Sequence, residues 1–249
     1  MKSQKVILEE RLRECGIQVQ DIVNRIGMSE DDKYTIIVYI SRFEGLGNRN
    51  SDFDVYVLSE KTIFKETIMA RINGAICDIE FWTYNQIFDM LSSELKNDEY
   101  KTIKLLKRMD MGLAIYNNSY QYKEMKDQLK KKALNQMIYT FFKSVANEEY
   151  DDAVKMFKCG EYASALTCAR RCADNLIAAY NAKKEHANLN LKWAPKIFIE
   201  NSGYGNTFIL EGYKNYQLYM HISEENLDTE TEELIDFLTD AIIQVTMEK

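Results

Sequence analysis

The sequence predicts an α+β fold, with a mixed β-sheet and its helices first and a bundle of α-helices after it. The runs of β-branched and aromatic residues that we assign to strands all lie in the first half of the 249-residue chain. The pair Asn73-Gly74 separates two of these runs as a hairpin turn does. Beyond Tyr120 the apolar residues recur at helical spacing. We therefore predict two domains, residues 1–118 and residues 119–249.

The predicted strands are separated by turn signals. Residues 34–40 are β-branched or aromatic throughout, and a loop that contains Gly45 and Gly47 separates them from the next run. The hairpin follows, and a short apolar run after Gly112 adds a last strand. The predicted strands are residues 34–40, 53–58, 69–72, 75–83 and 112–116.

Helical spacing of apolar residues predicts the other elements. In the opening segment Gly16 is a candidate break and Gly27 a candidate stop, because glycine readily adopts the left-handed conformation that ends helices. Asp228 or Thr229 is predicted to cap the last segment. The predicted helical segments are residues 5–27, 85–108, 121–146, 149–182, 188–201 and 229–247.

Composition narrows the chemistry that the chain can perform. It has 39 acidic and 32 basic residues, a net charge of -7, and this balance argues against extensive nucleic-acid binding. His186 and His221 are far apart in sequence, so nucleophilic catalysis with a histidine base is poorly provided for. If the protein is an enzyme, carboxylates must carry the chemistry.

Composition also bears on the compartment. No apolar run reaches the roughly 18–20 residues of a membrane span, and charged residues interrupt the start before a signal peptide could form. The 5 cysteines form no Cys-x-x-Cys pair and lie in apolar patterns, which is typical of reduced core thiols. We therefore expect a cytoplasmic protein without membrane association.

Two predicted strands carry pairs of acidic residues. Asp52 directly precedes the predicted strand 53–58, and Asp54 lies within it. Because side chains alternate along a strand, the two aspartates are on the same face. Asp78 and Glu80 repeat this arrangement. Like charges at this spacing repel unless a cation lies between them, and Mg²⁺ prefers such oxygen ligands. If the two strands are neighbours, their acidic faces meet.

The loop before these aspartates carries a recognisable motif. Its residues are Ser41, Arg42, Gly45, Ser51, Asp52 and Asp54. In order and spacing they match the Gly-Ser-Arg…Gly…Ser-Asp-x-Asp motif of the DNA polymerase β-like nucleotidyltransferases. The sequence resembles this family, which includes antibiotic nucleotidyltransferases of the aminoglycoside and lincosamide type and minimal bacterial nucleotidyltransferases. The resemblance covers residues 30–116 and extends more weakly over the helical remainder.

The resemblance implies a role for each candidate site residue. The predicted catalytic residues are Asp52, Asp54, Asp78 and Glu80. The first three would bind metal, two Mg²⁺ ions in total, with Glu80 as the second choice for the third carboxylate. The predicted nucleotide-binding residues are Ser41, Arg42 and Lys192, with ATP or another nucleoside triphosphate as co-substrate. For Arg42, contact with phosphate and a surface ion pair with Glu44 are equally weighted alternatives.

The expected reaction transfers a nucleoside monophosphate, AMP from ATP, to a hydroxyl of a small-molecule acceptor such as an antibiotic, and releases pyrophosphate. One position departs from the motif, because Ile40 precedes Ser41 where the family has glycine. Two alternatives therefore stay open, a toxin-type enzyme that modifies protein or RNA and a catalytically silent nucleotide-binding module. A homodimer is one option for the assembly.

Overall fold

The chain divides into two compact units, each described here by itself. The computed structural model describes residues 2–29, 31–48, 50–61, 67–93 and 100–248. The units are Met1–Ala133 and Leu134–Lys249. The domain boundary predicted after residue 118 therefore differs from the division into compact units.

The helix Gln121–Lys131 accounts for this difference. The Lys126 ammonium donates hydrogen bonds to the backbone carbonyls of Met109 and Asp110. Lys132, just beyond the helix, donates to the carbonyls of Leu91 and Ser93. These bonds join the helix to the first unit, although its composition resembles that of the helical half.

Within the described residues, the first unit holds one sheet of five strands, in the order β3-β4-β2-β1-β5. The strands are β1 (Tyr34–Tyr39), β2 (Phe53–Ser59), β3 (Ile68–Ile72), β4 (Ala75–Thr83) and β5 (Leu113–Asn117). The helices are α1 (Gln4–Cys15), α2 (Val19–Ile26), α3 (Tyr84–Ser92), α4 (Tyr100–Met111) and α5 (Gln121–Lys131). Strands β2 and β4 are parallel and the other neighbours antiparallel. The predicted mixed sheet is confirmed.

Glycines end the first helices and close the hairpin as predicted. Gly16 and Gly27 both have φ of 63° and follow α1 and α2 directly. Asn73 and Gly74, with φ of 47° and 86°, form the turn between β3 and β4. Of the predicted helix 85–108, the structure describes α3 and α4, and residues 94–99 lie outside the described residues.

The described part of the second unit is helical, as predicted. Its helices are α6 (Leu134–Lys158), α7 (Tyr162–Lys183), α8 (Ala194–Glu200), α9 (Thr207–Tyr213) and α10 (Leu227–Met247). Helices α6, α7 and α10 pack on one another. This confirms the α+β fold class with a helical C-terminal region.

Several predicted helix boundaries are wrong. Helix α6 runs through the predicted gap after residue 146 and ends before Gly160, whose φ of 78° does not suit a helix. The predicted helix 188–201 is a 3₁₀ turn followed by α8. Asn226, not Asp228 or Thr229, precedes the first residue of α10.

The predictions about cysteines hold in part. All 5 cysteines are free thiols. Cys77 and Cys172 are buried, and burial raises the pKa of Cys77 to about 11. Cys159 is exposed, so the expectation of a core thiol is wrong there. Among the described residues, no helix has both the length and the apolar character that crossing a membrane requires.

Candidate functional site

The two acidic strand faces meet. Because β2 and β4 are parallel neighbours, Asp54 pairs in register with Asp78, and Tyr56 pairs with Glu80. Asp52 lies just before β2 on the same side of the alternation and is exposed. The two predicted strands are therefore neighbours, and alternation assigns Asp54, Asp78 and Glu80 to one face of the sheet. On the opposite face Phe53, Val55 and Val57 are buried in the core.

Asp54 lies at the centre of this face and pairs with Arg108 of α4. The two side chains are 16% and 21% exposed, and Arg108 Nη1 lies 2.7 Å from Asp54 Oδ1. The pKa of Asp54 is raised to about 6, chiefly by burial; Arg108 acts in the opposite direction, and the charges of Asp78 and Asp52 add to the rise. Arg108 thus favours the ionised form of a carboxylate whose burial and acidic neighbours disfavour it.

Arg108 is held by the sheet as well as by Asp54. Its Nη1 also donates to the Tyr56 hydroxyl at 3.3 Å. Its Cζ lies 5.4 Å from the centre of the Tyr39 ring, a cation–π distance. The sequence prediction missed this residue. The one available signal was its position three residues after the buried Leu105, at the edge of the apolar stripe of α4.

The acidic face offers carboxylate oxygens, which Mg²⁺ prefers as ligands. In the part of the chain that the structure describes, no three acidic, histidine or cysteine side chains are grouped so as to hold a metal ion. The chemistry of the oxygen donors suits Mg²⁺, but an oxygen of Asp54 already accepts a hydrogen bond from Arg108. Two Mg²⁺ ions on Asp52, Asp54 and Asp78 stay a prediction.

The motif loop brings Ser41 and Ser51 together around Gly47. Gly47 has φ of 90°, and a Cβ there would lie 2.9 Å from Ser51 Oγ and 3.2 Å from Ser41 Cβ. Ser51 Oγ also accepts a hydrogen bond from the amide of Asn48. Only glycine fits this position, and the close approach leaves two serines side by side next to Asp52. We call Ser41, Gly47 and Ser51 the serine cradle.

Arg11 of α1 donates a hydrogen bond to the backbone of the serine cradle. This residue was not predicted from the sequence. Its Nη2 donates to the backbone carbonyl of Ser51 at 2.8 Å, and its Cζ lies 5.4 Å from the centre of the Phe53 ring. Arg11 is 5% exposed and follows the buried Leu8 at helical spacing. An arginine inside an apolar stripe is the signal that could have identified it.

Arg42 makes a contact that neither predicted alternative included. Its guanidinium forms two 2.9 Å contacts with the carboxylate of Glu14 in α1. Glu44 instead accepts a hydrogen bond from the Tyr39 hydroxyl at 2.7 Å. The expected surface pair between Arg42 and Glu44 is therefore wrong, because the 3₁₀ turn Ser41–Glu44 directs Arg42 towards α1.

Ile40 does not disturb the acidic face. Tyr39 pairs in register with Asp54, so the next side chain along the chain points to the opposite face. Ile40 is 1% exposed and its backbone is extended, with φ of -137°. Its side chain therefore belongs to the core and its backbone has no need of glycine.

A cavity of about 260 Å³ lies beside Arg108. Glu80 and Trp82 of β4 form one side of it, and Lys101 and Lys104 of α4 contribute to the other. The Trp82 indole donates a hydrogen bond to Glu80 at 3.1 Å. Basic residues outnumber acidic ones among these lining residues, so the cavity suits a ligand with a negative group.

Lys192 lies in the second unit. It belongs to the 3₁₀ turn Leu191–Trp193, and its ammonium lies 5.4 Å from the centre of the Trp193 ring. Its contact with a nucleotide stays a prediction.

Comparison with known proteins supports the fold. No protein-family model matches the chain, and no curated protein matches its sequence. The chain is similar to the solved structure of a nucleotidyltransferase-like protein from Exiguobacterium sibiricum 255-15, with a TM-score of 0.56 and 13% identity. The similarity covers 90% of this chain and 75% of the other. The chain therefore has a nucleotidyltransferase-like fold, which by itself does not identify a reaction.

Proposed function

We propose that this protein transfers a nucleoside monophosphate, AMP from ATP, to a hydroxyl of a small-molecule acceptor and releases pyrophosphate. One observation carries the proposal, the serine cradle next to Asp52 at the end of a sheet face that also holds Asp54 and Asp78. The cradle suits phosphate oxygens because serine hydroxyls donate hydrogen bonds to them. The nucleotidyltransferase-like fold supports the same proposal.

In the proposed reaction, side chains of the acidic face and of α4 receive the proton and stabilise the charge on phosphate. The acceptor hydroxyl attacks the α-phosphorus, a new P–O bond forms, and the bond from the α-phosphorus to the bridging oxygen of pyrophosphate breaks. Asp78 is half-buried and pairs in register with Asp54, so it is our candidate to receive the hydroxyl proton. The positive charges of Arg108 and Lys104 lie near Asp54 and stabilise negative charge that develops on phosphate.

For the acceptor we propose a small hydroxyl compound of the antibiotic type. The antibiotic type rests on the family resemblance, and the cavity beside Arg108 supports only the small size of the acceptor, because about 260 Å³ is of the order of one small ligand group. A protein or RNA acceptor is the alternative. Labelled ATP incubated separately with a small-molecule extract and with a macromolecular extract distinguishes the two by the fraction that retains the label.

A second candidate function is a nucleotide-binding module without catalysis. The ion pair between Arg108 and Asp54 favours it, since a carboxylate engaged in this way is less available for chemistry. The position of Ile40 does not favour it, because that side chain lies in the core. This candidate predicts nucleotide binding without release of pyrophosphate.

Calorimetric titration with ATP in the presence of Mg²⁺ tests nucleotide binding. We expect the wild-type protein to bind ATP and Ser41→Ala to bind about ten-fold more weakly, since one hydrogen bond to a charged group is lost. Ser92→Ala, at an exposed serine of α3, is the matched control and should bind as the wild type does. Absence of ATP binding, or equal affinity of wild type and Ser41→Ala, would contradict the proposal.

A further inference from the structure

Three contacts with the sheet hold the Arg108 guanidinium in place. Its guanidinium binds Asp54 at 2.7 Å and the Tyr56 hydroxyl at 3.3 Å, and it lies 5.4 Å from the centre of the Tyr39 ring. These three partners come from the adjacent strands β1 and β2. The side chain is therefore held on the sheet face and is 21% exposed.

The surrounding charges require a cation at this point. Asp54 faces Asp78 in register, and Asp52 lies two residues before it on the same side. Carboxylates so close together repel one another unless a positive charge compensates them, and partial burial weakens the screening by water. Arg108 supplies that charge, and a guanidinium keeps it at every physiological pH.

We propose that, in the nucleotide-free protein, Arg108 takes the place of a divalent cation at Asp54 and keeps metal from this carboxylate. The hydrogen bond from Arg108 occupies one lone-pair site of Asp54 Oδ1, and the charge of the guanidinium repels a second cation from the whole carboxylate. Removing the guanidinium should create a metal site on Asp54 and Asp78. This inference goes beyond the proposed function and holds whether or not a nucleotidyl group is transferred.

Titration with Mn²⁺ alone, followed by the electron paramagnetic resonance signal of the free ion, tests the inference without nucleotide or activity. The proteins are the wild type, Arg108→Gln, Asp54→Asn and the double variant Arg108→Gln/Asp54→Asn. Arg25→Gln, at an exposed arginine of α2, is the matched control. Circular dichroism establishes that each variant is folded.

We expect Arg108→Gln to bind Mn²⁺ at least about ten-fold more tightly than the wild type, because a full positive charge beside the site is removed. The gain should disappear in the double variant, and Arg25→Gln should bind as the wild type does. Equal Mn²⁺ affinity of Arg108→Gln and wild type would overturn the inference. A gain that persists in the double variant would overturn it too, because the new site would not involve Asp54.

If Arg108→Gln does not fold, the wild type, Asp54→Asn and Glu80→Gln decide the question. Asp54→Asn removes one negative charge from the acidic face, so it is compared with Glu80→Gln, which removes the same charge from that face. When Arg108 keeps metal from Asp54, the two variants lose Mn²⁺ affinity to an extent that agrees within about two-fold. A greater loss in Asp54→Asn than in Glu80→Gln would overturn the inference, because Asp54 would then already bind the ion in the native protein.

Discussion

Arg108→Met is expected to lower the free energy of unfolding by about 3 kcal/mol, the range seen when one partner of a buried ion pair is removed. The change leaves Asp54, with a side chain 16% exposed, on a face that it shares with Asp78 and Asp52. Methionine retains the apolar stem of arginine, so loss of packing contributes little. Urea denaturation followed by circular dichroism measures the change.

The same experiment on Asp54→Asn and on the double variant Arg108→Met/Asp54→Asn separates charge from packing. Asp54→Asn should cost about 1 kcal/mol or less, because it also relieves repulsion from Asp78. The double variant should be more stable than Arg108→Met alone. If Arg108→Met and the wild type unfold at the same urea concentration, Arg108 does not neutralise the acidic face as described.

Arg11→Met is expected to lower the free energy of unfolding by about 2 kcal/mol and to weaken ATP binding. Arg11 is 5% exposed, and its hydrogen bond to the Ser51 carbonyl joins α1 directly to the serine cradle. A hydrogen bond from a charged group contributes about 1.5–3 kcal/mol, and its loss leaves the Ser51 carbonyl without this donor. Urea denaturation and calorimetric titration with ATP measure the two effects.

Arg13→Met is the matched control for Arg11→Met, because Arg13 lies on the exposed side of the same helix. It should change the free energy of unfolding by no more than about 0.5 kcal/mol. If Arg11→Met retains the wild-type affinity for ATP while losing stability, Arg11 supports the fold without shaping the serine cradle.

The strand features of the site could be predicted from the sequence because they are local. Alternation in β2 and β4 assigns Asp54 and Asp78 to one side of each strand, and Asn73-Gly74 marks the hairpin that precedes β4. The sequence could not show that β2 and β4 are neighbours. The two strands are parallel, and β3 lies between them in sequence, so no turn signal in the sequence indicates that they pair.

The partners of these residues could not be predicted because they are distant in sequence. Arg108 and Asp54 are 54 positions apart, and Arg11 and Ser51 are 40 apart. Each contact depends on how a helix is rotated about its axis relative to the sheet. Hydrophobic periodicity defines only the broad apolar stripe of a helix, and not the exact rotation. The sequence therefore assigned the cation of the acidic face to metal and did not indicate the guanidinium that pairs with Asp54.

The helix boundaries failed for a related physical reason. Asn147, Glu148 and Glu149 interrupt the apolar pattern, yet α6 continues through them because polar residues are tolerated on an exposed or half-buried helix face. Helix α5 was assigned to the second domain because its composition is that of the helical half. Hydrogen bonds of Lys126 to the end of α4 and of Lys132 to the end of α3 join it to the sheet unit instead.

Release of pyrophosphate and transfer of label from α-labelled ATP to an acceptor test the proposed nucleotidyl transfer. The acceptors are aminoglycosides, lincosamides and a small-molecule extract, and Asp78→Asn is compared with Asp127→Asn at an exposed position of α5. We predict labelled product and pyrophosphate with the wild type and Asp127→Asn, and at least about 100-fold less with Asp78→Asn, as loss of a general base implies. Nucleotide binding without pyrophosphate from any acceptor, or full activity of Asp78→Asn, would contradict the account.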